Sequence, residues 1–274
     1  MAEEYFRVAL VQTESCPDRT ENLAGIRDAL GRIGRGTDLV VFPENVLCLG
    51  NGASVRAAAS EHNALREELG ALVEAVGTPT VFGGVPLLEG GEVYNSSLAF
   101  DSEGVLLARY DKIHLFQLNP DSPDGIDESR IYAAGFHPVA FELRGWRIGL
   151  SICYDLRFPE LYRALAPVDA FLCTAAFTAA TGEAHWMPLL RARAIENQCH
   201  VIAVNQCGTN RETDIVNHGH SLVVDPWGKV TSEAERTPCI LDVCLCRADI
   251  EKARGTIPAL ANRCDEGRFL DRVP

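Results

Sequence analysis

Short apolar strands alternate with amphipathic helices along almost the whole chain, and this alternation limits the possible folds more than any other feature. Arg7-Val8-Ala9-Leu10-Val11-Gln12 reads as a strand, and the run Thr20 to Ile33 sets Leu23, Ile26, Leu30 and Ile33 on one helical face. A second strand, Leu39-Val40-Val41-Phe42, ends at Pro43-Glu44. A helix over Glu61 to Val76, with Leu65, Leu69, Leu72 and Val76 inward, leads into a strand through Thr80-Val81-Phe82. Asn95 to Phe100 and Val105 to Tyr110 form a hairpin turning at Ser102-Glu103-Gly104. After an irregular stretch, Asn119 to Gly135, the pattern restarts. Strands are expected at 147–152, 170–174, 200–205, 221–224 and 240–245, with helices near 159–166 and 185–197 and a turn at Asp225-Pro226-Trp227-Gly228. Each sheet of such a chain must bury one face on helices. Two sheets can bury their remaining faces on each other, giving an α/β protein built as a four-layer α-β-β-α sandwich, although one doubly wound sheet has the same local pattern.

The 274 residues, 47% of them apolar, suffice for one sizeable core, and residues 1–274 are read as one domain. A formal net charge of −13 argues against binding nucleic acid or an anionic membrane surface, since both need clustered Lys and Arg. An anionic small molecule would have to be drawn in by a local cationic pocket. The 10 Cys are spread thinly with no Cys-x-x-Cys pair, and Met1-Ala2-Glu3-Glu4 lacks signal-peptide character, so a reducing, cytoplasmic setting is expected. The longest mostly apolar stretch, Ala170 to Ala180, is far shorter than the roughly 18 to 20 residues that cross a bilayer.

Three polar residues stand where packing does not explain them: Glu44 after one strand, Lys112 after a hairpin strand, and Cys153 after Arg147 to Ile152. Strand ends are where α/β proteins place their chemistry. Following Cys153, Tyr154-Asp155-Leu156-Arg157-Phe158-Pro159-Glu160 implies a sharp turn and a helix with Pro159 near its first position, able to present the sulfur beside backbone N–H groups. A cysteine attacks as thiolate and needs a cation, a helix N-terminus or a proton acceptor nearby, and Glu44 and Lys112 can supply base and cation.

Phe42-Pro43-Glu44, Tyr110-Asp111-Lys112-Ile113-His114-Leu115 and Cys153-Tyr154-Asp155-Leu156-Arg157-Phe158-Pro159-Glu160 resemble, in order, the three catalytic motifs of the carbon-nitrogen hydrolase (nitrilase-like) superfamily. The similarity continues through Thr181 to Trp186, Arg191 to Asn197 and Gly219-His220-Ser221, covering nearly the whole chain. It implies the four-layer sandwich, pairing through helices into a homodimer or higher homo-oligomer, and a Glu-Lys-Cys triad extended by a second Glu, here Glu128. Where that family usually has Pro-Gly, this chain has Ala134-Gly135.

The resemblance implies an amidase: Glu44 takes the thiol proton as Cys153 attacks an amide carbon, and water later hydrolyses the thioester. Lys112 and the Tyr154 N–H would meet the oxyanion, and Glu128 would position Lys112 and the substrate nitrogen. True nitrilases usually carry Cys-Trp-Glu where this chain has Cys153-Tyr154-Asp155, which favours amides. The branch it most resembles holds omega-amidase and deaminated glutathione amidase. That branch implies cleavage of the terminal carboxamide of a small carboxylate-bearing, often 2-oxo, acid with release of ammonia, with Arg157, Phe177 and Thr181 in the pocket. A planar Arg157 guanidinium suits a carboxylate. Gly182-Glu183-Ala184 stands where the branch commonly has Gly-Pro-Ala. The alternatives are an N-carbamoyl amine hydrolase, a nitrilase, or a non-catalytic nitrilase-like binding module.

Other residues have plainer readings. Cys173, Cys199, Cys207, Cys239, Cys244 and Cys246 are read as small buried hydrophobes, with Cys16, Cys48 and Cys264 unassigned. His218 and His220 are spaced as ligands on one strand face would be, but no third ligand completes a site, so neither metal nor cofactor is expected. His114 and His185 read as structural, Arg191 and Arg193 as a salt-bridged helix face, and Trp186 as a packing residue.

Overall fold

The computed structural model describes residues 4–119 and 125–264. Met1-Ala2-Glu3 and, within the irregular stretch, residues 120–124 lie outside them. The first sheet is ordered β15-β1-β2-β4-β5-β6, with the short β3 at the side of β4. Its strands are β1 (Tyr5–Gln12), β2 (Leu39–Phe42), β3 (Ser60–Glu61), β4 (Thr80–Glu89), β5 (Glu92–Phe100), β6 (Leu106–Asp111) and β15 (Cys239–Cys246). The second runs β14-β13-β12-β11-β10-β9. It comprises β9 (Ala140–Leu143), β10 (Trp146–Ile152), β11 (Ala170–Ala175), β12 (His200–Asn205), β13 (Leu222–Val224) and β14 (Val230–Glu233). A small pair, β7 (Gln117–Leu118) and β8 (Ile126–Asp127), stands apart. The central strands β1-β2-β4 and β10-β11-β12 are parallel, as expected of strands joined through helices.

The period-2 alternation of β1 explains the layering. Phe6, Val8 and Leu10 join one core with Ile148, Leu150 and Leu172 of the second sheet, so the sheets pack face to face. Ala9 and Val11 join another with Leu23, Ile26 and Leu30 of α1 (Arg19–Gly31) and Leu65, Leu69 and Val73 of α3 (His62–Val76). Both faces of β1 and β2 are therefore covered, which is why they read as continuous apolar runs. Leu10 is fully buried, and truncating it to Ala would cost about 2 to 5 kcal/mol. On the other side, α4 (Pro159–Leu165) and α5 (Ala179–Asn197) cover the second sheet through Leu161, Leu165, Trp186 and Leu190. This is the α-β-β-α sandwich.

Some local features differ from the sequence reading. The seven-residue α2 (Gly52–Ala58) is too short for a helical period to show; its cap is Asn51, which accepts from the Ala53 and Ser54 N–H at 2.8 and 3.1 Å. Helix α5 begins at Thr178's cap rather than at His185, because its first turns carry little apolar periodicity. The Asp225 turn joins β13 to β14, a half-exposed strand whose pattern is mostly polar. Helix α6 (Arg247–Thr256) was likewise missed, burying only Ile250 and Ala253. Cys239 and Cys246 are half-buried and Cys244 is exposed, because β15 is an edge strand whose outer residues lack cover; this corrects the reading of all three as buried. No helix among the described residues is long and apolar enough to cross a membrane.

Candidate active site

Glu44 follows β2 and is 1% exposed. An uncompensated carboxylate at that depth would be costly, and three donors offset the cost. Lys112 donates from Nζ to Oε1 over 2.8 Å, Asn95 donates from Nδ2 to the same oxygen over 2.9 Å, and the Ala176 N–H donates to Oε2 over 2.7 Å. Gln206 Nε2 holds the Glu44 main-chain carbonyl at 2.9 Å. Space for the side chain comes from an irregularity in β4. The pairing of β4 with β5 breaks between Phe82 and Val85, and Gly84 there has φ +65°. A Cβ on Gly84 would lie 2.6 Å from Glu44 Cγ, and one on Gly83 would lie 2.2 Å from Thr174 Cβ.

Lys112 follows β6 and is also 1% exposed. Its N–H donates to the Asn95 carbonyl at 2.9 Å, fixing the stem, and its ammonium contacts Glu128 at 2.8 and 3.0 Å. Glu128 opens a 3-10 turn, Glu128–Arg130, and also accepts from the Phe116 N–H at 2.7 Å. Burial alone would lower the Lys112 ammonium, but Glu128 and Glu44 outweigh it and hold the group well above its ordinary value, so it stays charged. Glu128 is pushed up, first by burial and then by the Glu44 charge, with Lys112 opposing.

Cys153 follows β10 at φ +48°, a left-handed conformation uncommon for a residue with a Cβ, and opens a 3-10 turn, Cys153–Arg157. The turn is held by Asp155, fully buried, which accepts four bonds. Tyr110 OH and the Ile152 N–H donate to Oδ2 at 2.7 and 2.9 Å; the His114 N–H and His114 Nδ1 lie 3.1 and 2.7 Å from Oδ1. His114 also stacks on Phe158, with ring centroids 3.7 Å apart. Asp155 thus ties the Cys153 turn to the segment that carries Lys112. The Cys153 thiol is driven well above its ordinary value, by burial first and then by Glu44, while Lys112 opposes and Glu128 adds to the rise. At neutral pH the sulfur is a thiol beside a carboxylate and an ammonium.

Glu44, Glu128 and Cys153 line one cavity of about 500 Å3, together with Tyr154, Arg157, Phe177 and Thr181. Each substrate-side residue expected from the sequence therefore faces the same space. The Arg157 guanidinium carbon is 5.3 Å from the Phe177 ring centroid and 5.8 Å from that of Tyr154, with Nη1 3.2 Å from His185 Nδ1. Thr181 Oγ1 pairs with Thr178 Oγ1 at 2.9 Å.

An acyl-transfer site needs a nucleophile, a proton acceptor and a cation close together; Cys153 and Glu44 line this cavity, and the buried Lys112 ammonium is bonded to Glu44 and Glu128 on its wall. The sequence matches the carbon-nitrogen hydrolase pattern over residues 7–254. The chain belongs to the carbon-nitrogen hydrolase family. The deaminated glutathione amidase of Yersinia enterocolitica is 38% identical over 261 residues, 92% of this chain and 91% of that one. The Caenorhabditis elegans NitFhit protein superposes with a TM-score of 0.88 at 31% identity, over 96% of this chain and 66% of that longer one. A mutant of the Nesterenkonia amidase, solved with the acetamide moiety of fluoroacetamide covalently added at its active-site cysteine, superposes with a TM-score of 0.78 at 26% identity, over 100% and 99% of the two chains.

Several residues of this carbon-nitrogen hydrolase escaped the sequence reading: Asp155, Tyr110, Asn95 and Gln206. Asp155 and Tyr110 sit inside the quoted motifs, where their polarity was the available signal. Asn95 and Gln206 lie in or beside strands and gave none. His114 is structural, as read. Arg193 is buried, donating to the Leu156 carbonyl at 3.1 and 2.9 Å as well as to Glu196 at 2.8 Å, while Arg191 binds the Gly228 carbonyl at 2.7 Å, so only Arg193 is salt-bridged. Trp186 is buried against Phe177. His220 lies 2.9 Å from Glu233, its ring tilted against that of His218 with centroids 4.7 Å apart; no cluster of three metal-ligating side chains occurs among the described residues.

Proposed function

We propose that this chain is an amidase that cleaves the carboxamide of a small carboxylate-bearing, 2-oxo type acid through a thioester on Cys153, with Glu44 as general base, Lys112 as oxyanion donor and Glu128 as the group that positions Lys112 and the substrate nitrogen. The observation that carries this reading is the Lys112 ammonium held between two carboxylates on the wall of the cavity that Cys153 lines. As the sulfur–carbon bond forms, the thiol proton passes to Glu44, and Glu44 returns it to the nitrogen as the carbon–nitrogen bond breaks. Water then cleaves the thioester and restores the thiol. The developing oxyanion meets the Lys112 ammonium and the Tyr154 N–H, donors worth about 3 to 4 kcal/mol each in sites of this kind.

Arg157, flanked by Phe177 and Tyr154, is the proposed carboxylate clamp, with Thr181 beside it. The similarity to a deaminated glutathione amidase supports a substrate of this class. Residues 1–274 are proposed to act as one domain. Pairing into a homodimer through the outer helices is proposed on the exposed Ile195 of α5 and the neighbouring Trp227. A cytoplasmic location is proposed because all the cysteines are free.

The test is acid-product release from succinamate, 2-oxoglutaramate and a neutral amide, with mass spectrometry of the protein during turnover. An acyl adduct on Cys153 and its loss in Cys153→Ala are expected. Retained turnover in Cys153→Ala would refute the mechanism.

A further inference from the structure

The two oxygens of the Glu44 carboxylate are held unequally. Oε1 accepts from Lys112 Nζ at 2.8 Å and from Asn95 Nδ2 at 2.9 Å, whereas Oε2, among the described residues, accepts only the Ala176 N–H, at 2.7 Å. Each carboxylate oxygen offers about two lone-pair sites, so Oε1 is filled and Oε2 keeps one. A proton offered to Glu44 therefore finds its place on Oε2.

Lys112 alone would not keep that arrangement. Its ammonium is shared with Glu128, at 2.8 and 3.0 Å, and is assigned above to the developing oxyanion, so its hold on Oε1 loosens as the reaction proceeds. Asn95 has no second duty of this kind. It is buried, its Nδ2 donates to Glu44, and its Oδ1, buried too, has no partner among the described residues. An unpaired buried oxygen is a cost that an apolar residue of similar size would avoid. The way round of the amide follows from its neighbour: turned over, Oδ1 would face Oε1, acceptor against acceptor.

The backbone brings this amide to the carboxylate. Asn95 pairs with Pro86 of β4, just past the break between Phe82 and Val85, and a Cβ on Gly84 would lie 2.7 Å from Asn95 Oδ1 as well as 2.6 Å from Glu44 Cγ. The Asn95 carbonyl accepts the Lys112 N–H at 2.9 Å. One residue of β5 thus fixes the stem of the cation with its main chain and the carboxylate with its side chain.

We propose that Asn95 is a positioning residue for the reaction: by occupying Glu44 Oε1, it fixes the carboxylate so that the Cys153 proton passes to Oε2. This rests on the amidase reading. No bond change is added to it: the S–H proton moves to Oε2 as the sulfur pair forms the sulfur–carbon bond and the carbonyl π pair moves onto oxygen.

Two variants test this with succinamate as substrate. Asn95→Leu removes the donor together with the unpaired oxygen; kcat is expected to fall about tenfold or more, the worth of one hydrogen bond to a charged group, with KM within about twofold of wild type. Asn95→Asp keeps the shape and can donate to Oε1 only while its own carboxyl is protonated. Its kcat, taken as a fraction of the wild-type kcat at the same pH, should therefore climb as pH is lowered from about 8 to about 5. The charged groups around that carboxyl are Glu44, Lys112 and Glu128, with Tyr132 and the Cys153 thiol in the same cluster. A side chain that served packing alone would give a ratio that is flat with pH, and this would overturn the proposal even if Asn95→Leu failed to fold. A folded Asn95→Leu enzyme with wild-type kcat, or with a change in KM alone, would overturn it too while leaving the amidase reading in place. Failure of the wild type to cleave succinamate, 2-oxoglutaramate or a neutral amide, with no adduct on Cys153, would overturn both together.

Discussion

Lys112 Nζ lies 2.8 Å from Glu44 Oε1, with each residue only 1% exposed. A buried ion pair of this kind adds little net stability, because desolvating two charges costs about as much as their attraction returns. Its worth lies in chemistry. The ammonium sits against the carboxylate proposed to accept the proton of the Cys153 thiol.

Replacing Glu44 with Gln keeps the side-chain volume but removes the proposed proton acceptor. kcat for amide hydrolysis should fall by about 10^2- to 10^4-fold. Steady-state kinetics on a correctly folded Glu44→Gln protein checks this, and a decrease of less than about threefold would exclude Glu44 as the base.

Lys112→Met leaves Glu44 and Glu128 facing each other without a cation. A loss of about 3 to 5 kcal/mol in unfolding free energy is expected, softened if Glu128 takes up a proton. Glu128→Gln should cost less, since Lys112 keeps Glu44. Urea denaturation of the two variants distinguishes these outcomes; a Lys112→Met protein as stable as the wild type would mean that the ammonium is not what stabilises the carboxylates.

The raised Cys153 thiol predicts no resting thiolate at neutral pH. Absorbance near 240 nm, taken as wild type minus Cys153→Ser, should show no titration until well above the ordinary thiol pKa of about 8.5. Linkage has the matching sign. A folded pKa above the unfolded one confers stability that is present below about pH 8.5 and is lost as pH rises toward the folded value. A thiolate step below pH 7 would contradict the electrostatics described for the site.

Asp155→Asn replaces an acceptor of four bonds with a group that has one acceptor and one donor, and the new N–H must face Tyr110 and Ile152 or His114. Asp155 is a positioning residue, so the expected signature is kcat lowered about 10- to 100-fold with KM nearly unchanged. Tyr110→Phe removes the bond donated to Asp155 and the one accepted from the Ile113 N–H, and should cost about 1 to 2 kcal/mol of stability with a smaller effect on kcat. A change in KM alone would place Asp155 in substrate binding instead.

How much of this was legible in the sequence depended on the length scale of each signal. Buried strands such as Leu39–Phe42 and Ala170–Ala175 announced themselves by composition, and α3 by its period. The short α2 and the half-polar edge strand β14 had neither cue, and β15's cysteines could not reveal that they lie on an edge, since edge position depends on which strand pairs with which. Glu44, Lys112 and Cys153 were conspicuous as polar residues at strand ends. Asn95 and Gln206 were not: an amide within or beside a strand looks like any other polar residue until Glu44, more than fifty positions away, is folded against it through its carboxylate or its main-chain carbonyl.

The break in β4 shifts attention from reactive groups to the room they occupy. Gly83 and Gly84 contribute no functional atom, yet any larger residue at either one collides with Thr174 or with Glu44. A screen for inactive variants that still fold should therefore recover hits at two positions with nothing to donate, accept or attack, and those hits would map the room that the Glu44 side chain occupies.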